Sequence, residues 1–197
     1  MSNAIQIQTR RQNRDGLAPA AEAKQVELLE SEVARLQGVI SQLRQRAEND
    51  DLTGLLRRGE FFRRLDNVVS QRAGDISVIL LDIDDFKRIN DSEGHVVGDH
   101  VLQRVAKVIR RCLRAGAEVG RFGGEEFMVA FPANQAMAGA LAEALRRRIQ
   151  REVNVTVSVG VATARAANWE VRKMVGKADE ALYQAKHAGK NRVCLAA

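Results

Sequence analysis

The sequence has little of what marks a secreted, disulfide-bonded or membrane-spanning protein. Only two cysteines occur among 197 residues, Cys112 and Cys194, and neither has a His or Cys neighbour at the spacing of metal ligands. We therefore expect two reduced thiols without a function. No apolar run reaches the roughly 18 residues that a membrane span needs, and the N-terminal residues lack the pattern of a secretory signal. These absences predict a cytoplasmic chain with no membrane span.

The charged residues do not identify a partner by themselves. Lys and Arg number 31 against 25 Asp and Glu, which gives a formal net charge of +6. Such a balance is compatible with nucleic acid, an anionic membrane or small molecules that carry phosphate. Because the basic residues are scattered among acidic ones, we expect no nucleic-acid binding. The length predicts one globular domain with an appendage.

The N-terminal 48 residues carry two different patterns. Residues 1–19 are polar and without periodicity, which predicts a disordered lead-in whose first four residues resemble the remnant of an expression tag. Residues 20–48 contain no proline, and their apolar residues recur at spacings of three and four: Val26, Leu29, Val33, Leu36, Ile40 and Leu43. β-Branched residues at position a and Leu at position d favour a parallel two-stranded coiled coil. We predict a coiled-coil dimerisation stalk over residues 20–48, with a helix packed on its own domain as the alternative.

Residues 49–197 are predicted to form one α/β domain, a mixed central β-sheet flanked by helices on both faces. The heptads end in a turn-like segment at residues 49–51. Beyond it, apolar runs typical of strands lie at residues 76–81, 119–122, 125–131, 155–161 and 192–195. Amphipathic helices are expected near residues 61–69, 101–113, 138–149 and 171–182. Two of the strands would form a hairpin around a two-residue turn, Gly123-Gly124.

Two acidic segments are predicted to meet at one edge of this sheet. Asp82 ends an apolar strand at its carboxyl end, where open α/β sheets place ligands. Glu125 and Glu126 follow the glycine turn, and an adjacent strand would bring them beside Asp82. Hard oxygen ligands without His or Cys favour Mg²⁺, which completes its coordination with phosphate oxygens and water. This pattern indicates nucleotide chemistry, and an ordinary hairpin turn with solvated acids is the alternative.

Five separated segments carry a more specific pattern. They are residues 50–55 (DDLTGL), 82–91 (DIDDFKRIND), 94–99 (GHVVGD), 121–127 (RFGGEEF) and 178–191 (ADEALYQAKHAGKN). In this order they resemble the motifs of the GGDEF family of diguanylate cyclases, in its GGEEF form. The resemblance implies that two GTP molecules, bound by two facing domains, are condensed into cyclic di-GMP with release of two pyrophosphates.

The resemblance also implies roles for the acidic residues. Asp82, the backbone carbonyl of Ile83 and Glu125 would hold Mg²⁺, with Mn²⁺ as a substitute. Glu126 would lie beside the metals and phosphates, so that Asp82, Glu125 and Glu126 form the catalytic set.

Other motif residues would bind the substrate. Asn90 and Asp99 would recognise guanine, since a carboxylate accepts from the guanine N1–H and amino group, a donor pair that adenine lacks. Gly123 and Gly124 would let the backbone approach the ligand. The phosphates would be bound by Phe86, Lys87, Lys186 and Lys190. The family more often has Arg at the position of Lys190 and Asn at that of Arg57.

Regulation is expected to differ from the family's usual pattern. Its allosteric product site resembles R-x-x-D ahead of the glycine hairpin, and the matching residues here are Arg114 and Ala117. Without the Asp we expect weak product inhibition or none. The input would come through the stalk, a regulatory protein or an upstream sensor. Two other functions remain open: a GGDEF-type module that binds GTP or cyclic di-GMP without turnover, and a coiled-coil interaction protein with a scaffold domain.

Overall fold

The computed structural model describes residues 2–70, 74–113, 115–165, 167 and 170–196, with side chains of the first helix described from residue 23 onward except at positions 44 and 46. The chain divides into two compact units, Met1–Gln45 and Arg46–Ala197. Within the described residues, no helix combines the length and the apolar character that crossing a membrane requires.

A single helix, α1 (Ser2–Glu48), accounts for the described part of the first unit. Residues 2–19, for which the sequence predicted disorder, belong to this helix. Gln, Arg and Ala favour helices without forming an apolar stripe, so the missing periodicity was a poor guide there. The six apolar side chains of the predicted coiled-coil seam are 44–59% exposed. The N-terminal helix of the fold prediction is confirmed, while the boundary between lead-in and stalk stays a prediction.

The second unit is built on a six-stranded mixed sheet. Its strands are β1 (Leu56–Arg57), β2 (Asp75–Ile83), β3 (Glu118–Arg121), β4 (Glu126–Pro132), β5 (Val157–Arg165) and β6 (Val193–Leu195). They lie in the order β1-β3-β4-β2-β5-β6. Strand β2 pairs antiparallel with β4 on one side and β5 on the other, whereas β1 with β3 and β5 with β6 are parallel pairs. The predicted mixed sheet is confirmed.

Five helices of the described chain pack around this sheet: α2 (Arg58–Ser70), α3 (Phe86–Glu93), α4 (His95–Cys112), α5 (Gln135–Val153) and α6 (Val171–His187). Successive strand residues point to opposite faces, so Leu80 and Leu81 of β2 enter different core clusters. The cluster of Leu81 includes residues of α4 and α5, and that of Leu80 includes residues of α2 and α6. Apolar layers on both faces explain the continuous apolar run of β2.

Helix α3 and strand β1 were not predicted from the sequence. Helix α3 has eight residues and a single buried side chain, Phe86, so it shows too little apolar periodicity to be recognised. Strand β1 has only two residues. Its extended conformation depends on pairing with β3, which is distant in sequence.

Gly160 of β5 lies close against the backbone of helix α6. A Cβ atom built there would overlap the carbonyl oxygen of Ala178 and the backbone nitrogen of Leu182. Both partners are backbone atoms of a helix that is itself packed in the core, so they have little freedom to move. Gly176, on α6, instead has open space around its missing Cβ.

We expect Gly160→Ala to lower the free energy of unfolding by about 3 kcal/mol, because α6 would have to move away from β5. Gly176→Ala is the matched control and should raise it by up to about 1 kcal/mol, the difference in helix propensity. Urea unfolding of both variants measures the two effects. If the free energy of unfolding of Gly160→Ala changed as little as that of Gly176→Ala, this result would contradict the close packing of α6 on the sheet.

Candidate active site at the mouth of the central strands

The central acidic pair is fixed by strand register. Asp82 of β2 lies directly opposite Glu126 of β4, and on the other side it lies opposite Ser158 of β5. Directly opposed residues of antiparallel strands project their side chains from the same face. One step further along, the backbone N–H of Ile83 donates to the carbonyl of Glu125 at 3.3 Å. The structure thus brings the acids of the two predicted motifs together at one end of the sheet.

Burial and charge act together on this pair. The pKa of Asp82, which is 7% exposed, is raised because burial disfavours the carboxylate, and the charges of Glu125 and Asp84 add to the rise. Lys186 opposes it, with its Nζ 2.8 Å from Asp82 Oδ2. The pKa of Glu126 is also raised, first by burial and then by the charge of Asp82. A cation beyond Lys186 would therefore be stabilised at this end of the sheet.

The donor set here suits a divalent cation with further oxygen ligands. Among the described residues, no three His, Cys, Asp or Glu side chains converge as a complete metal site. Mg²⁺ is commonly held by only one or two carboxylates, with phosphate oxygens and water completing its shell. Asp82, with one of the two glutamates on the opposite strand end, Glu125 or Glu126, could supply those carboxylates. They fit a metal that arrives with a phosphate ligand.

The glycine hairpin differs in detail from its prediction. Strands β3 and β4 pair antiparallel as expected, but residues 122–125 connect them, not a two-residue turn. The N–H groups of Phe122 and Gly123 both donate to the carbonyl of Glu126, at 2.8 and 3.4 Å. Neither Gly123 nor Gly124 adopts a positive φ. A Cβ at Gly123 would overlap Glu126 Oε2, so this glycine makes room for a carboxylate within the protein.

Arg121 holds this hairpin in place, a role that sequence reasoning missed. Its Nη2 donates to the carbonyl of Gly124 at 2.6 Å and its Nη1 to Asp50 Oδ1 at 3.2 Å. Burial is the largest influence on Asp50 and raises its pKa, but hydrogen bonds from Thr53 and the charge of Arg121 outweigh it, and the pKa is lowered. The Asp-x-x-Thr turn was the only signal for this link in the sequence.

A small open cleft adjoins the hairpin on its Arg121 side. Its volume is about 320 Å³, and its lining contains Asp50, Arg57, Arg58, Arg121, Phe122, Gly123 and Gly124. The Arg57 side chain pairs with Asp51 at 2.8 Å, and the Arg58 guanidinium lies 4.2 Å from the centre of the Phe122 ring. Arg57, at the position where the family more often has Asn, therefore forms a surface ion pair.

The two residues assigned to guanine lie on neighbouring helices. Asn90 of α3 is half-buried, and its Oδ1 occupies the place that a Cβ of Gly98 would take. Asp99 follows Gly98 on α4 and is exposed. Gly98 therefore lets the two helices approach so that Asn90 lies beside the start of α4.

The residues assigned to phosphate divide into two kinds. Phe86 is 7% exposed and its ring belongs to the core, where α3 packs on α4, so its role in phosphate binding stays a prediction. Lys87 is exposed. Lys186 and Lys190 both reach the strand mouth, where Lys190 Nζ lies 2.6 Å from Asp85 Oδ1. This ion pair raises the pKa of Lys190 and lowers that of Asp85.

The structure describes only one of the two residues that match the predicted allosteric product site. Arg114 lies outside the described residues. Ala117 precedes β3. The expectation of weak product inhibition therefore stays a prediction from sequence.

Comparison with known proteins identifies the class of domain that this site belongs to. The family model described as "Diguanylate cyclase, GGDEF domain" matches residues 47–192. The chain therefore belongs to the GGDEF domain family. Diguanylate cyclase DgcP of Pseudomonas aeruginosa is 38% identical over 185 residues, an alignment that covers 88% of this chain and 27% of that protein. The chain thus spans about a quarter of the length of that relative.

Solved structures extend the similarity to the N-terminal helix. The coiled coil and GGDEF domain of DgcB from Caulobacter crescentus, in complex with c-di-GMP, is 32% identical with a TM-score of 0.81, covering 89% of this chain and 98% of that one. The diguanylate cyclase SiaD of Pseudomonas aeruginosa, in complex with its activator SiaC, is 30% identical with a TM-score of 0.71. That match covers 99% of this chain and 81% of SiaD.

We expect Gly123→Ala to displace the Glu126 carboxylate, because the new methyl group would overlap Glu126 Oε2. The end of a flexible side chain can move, so the fold should survive. Gly124→Ala is the matched control in the same connection, where a Cβ meets open space. NMR should show shifted signals at Glu126 and Asp82 in the first variant and only local changes in the second. Matching spectra for the two variants would contradict the assigned contact.

Proposed function

We propose that this chain is a diguanylate cyclase that condenses two GTP molecules into cyclic di-GMP and releases two pyrophosphates. The observation that carries the proposal is the register of β2 with β4, which sets Asp82 opposite Glu126 with Glu125 next in the chain. Family membership and named cyclases among the relatives support it.

The acidic residues at the ends of β2 and β4 are the part of the site that would hold a metal. We propose that Asp82, the carbonyl of Ile83 and Glu125 are ligands of Mg²⁺, with Mn²⁺ as a substitute. When bound, such an ion lowers the charge barrier at phosphorus and the pKa of an attacking hydroxyl. Glu126 shares its strand face with Asp82, so its carboxylate would lie beside the same ion.

The nucleotide is bound by elements around the acids. Asp99 would accept hydrogen bonds from the guanine N1–H and amino group, and the Asn90 side chain could both accept and donate at the guanine edge. The first N–H groups of α3, those of Phe86 and Lys87, have no acceptor within the helix and would face phosphate oxygens. Lys186 would leave Asp82, and Lys190 would leave Asp85, when the triphosphate binds. Each lysine then exchanges a carboxylate oxygen for a phosphate oxygen.

The reaction is a pair of identical substitutions at phosphorus. The 3′-hydroxyl oxygen of one GTP forms a bond to the α-phosphorus of the other, the bond to pyrophosphate breaks, and the hydroxyl proton is released. A second substitution in the opposite direction closes the ring. Since each domain binds one GTP, two domains must face each other, and catalysis consists mainly of positioning and charge stabilisation.

The N-terminal helix would supply that pairing. Its exposed seam of β-branched and Leu residues suits a parallel two-stranded coiled coil, which raises the concentration of one domain near the other. SiaD was solved with an activator, which supports a regulatory protein as one source of input for this chain.

A second candidate is a GGDEF-type module that binds GTP or cyclic di-GMP without turnover. The observation in its favour is the ion pair between Lys186 and Asp82, which occupies an oxygen that a metal would need. Incubation of the full chain with GTP and Mg²⁺, followed by nucleotide chromatography, separates the two functions. Cyclic di-GMP as the product supports the cyclase, and unchanged GTP supports the binding module.

We expect Asp82→Asn and Glu125→Gln to abolish cyclic di-GMP synthesis, because each removes a metal-binding charge with little change in volume. Glu180→Gln is the control, since Glu180 is an exposed acid on α6 that is not assigned to the metal. It should retain wild-type activity, and all three variants should unfold cooperatively. Wild-type product formation by either site variant would refute the metal assignment.

We expect a double substitution in the seam, Val33→Lys with Ile40→Lys, to make the chain monomeric at low concentration, because lysines at adjacent a positions repel across a dimer. Specific activity should then rise steeply with protein concentration. Ser31→Lys with Gln45→Lys adds the same charge at outer f positions and is the matched control. Light scattering and a dilution series of the activity measure both effects. A specific activity independent of concentration in the seam variant would contradict a role for the helix in pairing.

A further inference from the structure

The segment that carries Lys190 has an unfavourable backbone conformation. Gly189, Lys190 and Asn191 follow α6 with φ angles of 108°, 59° and 46°. Left-handed angles at two consecutive residues with a Cβ are rare and persist only where surrounding contacts impose them. The position of Lys190 therefore depends on what holds residues 189–191.

Asp84 provides the most buried of these contacts. It follows β2 and is 7% exposed. Its Oδ2 accepts the backbone N–H of Asn191 at 3.1 Å, and its Oδ1 accepts the hydroxyl of Ser158 at 2.6 Å. Its own N–H donates to the carbonyl of Thr156 at 2.9 Å. Both carboxylate oxygens are thus engaged within the protein, between the end of β2, the start of β5 and residues 189–191.

Arg146 of α5 holds the same segment from the other side. Its Nη1 donates to Asn191 Oδ1 at 2.6 Å, and its guanidinium, 14% exposed, pairs with Glu143 at 2.7 Å. Asn191 is therefore fixed by its backbone to Asp84 and by its side chain to α5. These two contacts leave the neighbouring residue, Lys190, little choice of backbone direction.

Lys190 itself is held in place but retains an exposed ammonium group. Its backbone N–H donates to the carbonyl of Ala185 at 3.1 Å, while its Nζ contacts Asp85 and its side chain is 44% exposed. A surface ion pair of this kind is weak and exchanges readily for a stronger anion. The ammonium can change partner while the backbone of residues 189–191 stays fixed.

We propose that Asp84 is a positioning residue: by accepting the Asn191 N–H it fixes residues 189–191 and so directs Lys190 towards the triphosphate. Asp84 acts through Lys190 and does not contact the nucleotide or the metal. The identity of the ligand rests on the proposed function, but the link between Asp84 and Lys190 rests on the contacts alone.

The neutral isostere separates this role from a role in charge or metal binding. In Asp84→Asn, the amide oxygen can still accept the Asn191 N–H, and the amide nitrogen can donate to Ser158 Oγ. Asp84→Ala loses both bonds. A positioning role therefore predicts that Asn substitutes for Asp84 and Ala does not.

The affinity of the full chain for 3′-deoxy-GTP with Mg²⁺, measured by calorimetry, tests this, since a nucleotide without a 3′-hydroxyl cannot react. We expect Asp84→Ala to weaken binding by about tenfold, the effect of one charge-assisted hydrogen bond. Asp84→Asn should stay close to the wild-type value. In a Lys190→Met background, Asp84→Ala should cause no further loss, because its target is already absent.

Two results would overturn the proposal: equal losses in the Ala and Asn variants, or additive losses for Asp84→Ala and Lys190→Met. If Asp84→Ala does not fold, Asp84→Asn decides the question, because a tenfold loss of nucleotide affinity in that variant contradicts positioning by a hydrogen bond.

Hydrogen exchange gives a readout that needs no ligand. The Asn191 amide should exchange faster in Asp84→Ala than in Asp84→Asn, and equal protection would refute the link. A wild-type chain that makes no cyclic di-GMP would instead count against the proposed function.

Discussion

The antiparallel pairing of β2 with β4 is the constraint on which the site depends. It sets Asp82 opposite Glu126, while pairing with β5 sets Ser158 on the other side of Asp82. A slip of one residue would turn every side chain of β2 to the other face and separate the two acids. The packing of β2 opposes such a slip, because Ser77, fully buried within it, would lose the Ala133 carbonyl to which its hydroxyl donates at 2.9 Å. The same packing that stabilises the domain therefore fixes the acids.

The acids, once brought together, create an electrostatic cost that lysines offset. Burial raises the pKa of Asp82 and of Glu126, and Lys186 provides a positive charge against Asp82. Lys190 does the same for Asp85 at the start of α3. Both lysine side chains are partly exposed. The lysines offset only part of this cost, because the pKa of Asp82 and of Glu126 stays raised in their presence.

The sequence predicted the features that depend on local pattern. The apolar run of β2, the four longer helices of the domain and the acidic strand end were visible, and the family motifs added the lysines. The prediction of a two-residue turn at Gly123-Gly124 was wrong, since residues 122–125 connect the strands. A glycine pair usually indicates a tight turn with left-handed residues, whereas Gly123 makes room for the Glu126 carboxylate. The link from Asp84 to Asn191 joins residues 107 positions apart, and no periodicity reports such a contact. Arg121 was missed for the same reason.

The most direct test of this account is the structure of the chain with Mg²⁺ and 3′-deoxy-GTP. The decisive quantity is the distance from Lys186 Nζ to Asp82 Oδ2, which is 2.8 Å without ligand. We expect Lys186 to move out of hydrogen-bond distance of Asp82 and to contact phosphate, with the metal bound by Asp82. A nucleotide bound elsewhere, with Lys186 still paired to Asp82, would contradict it.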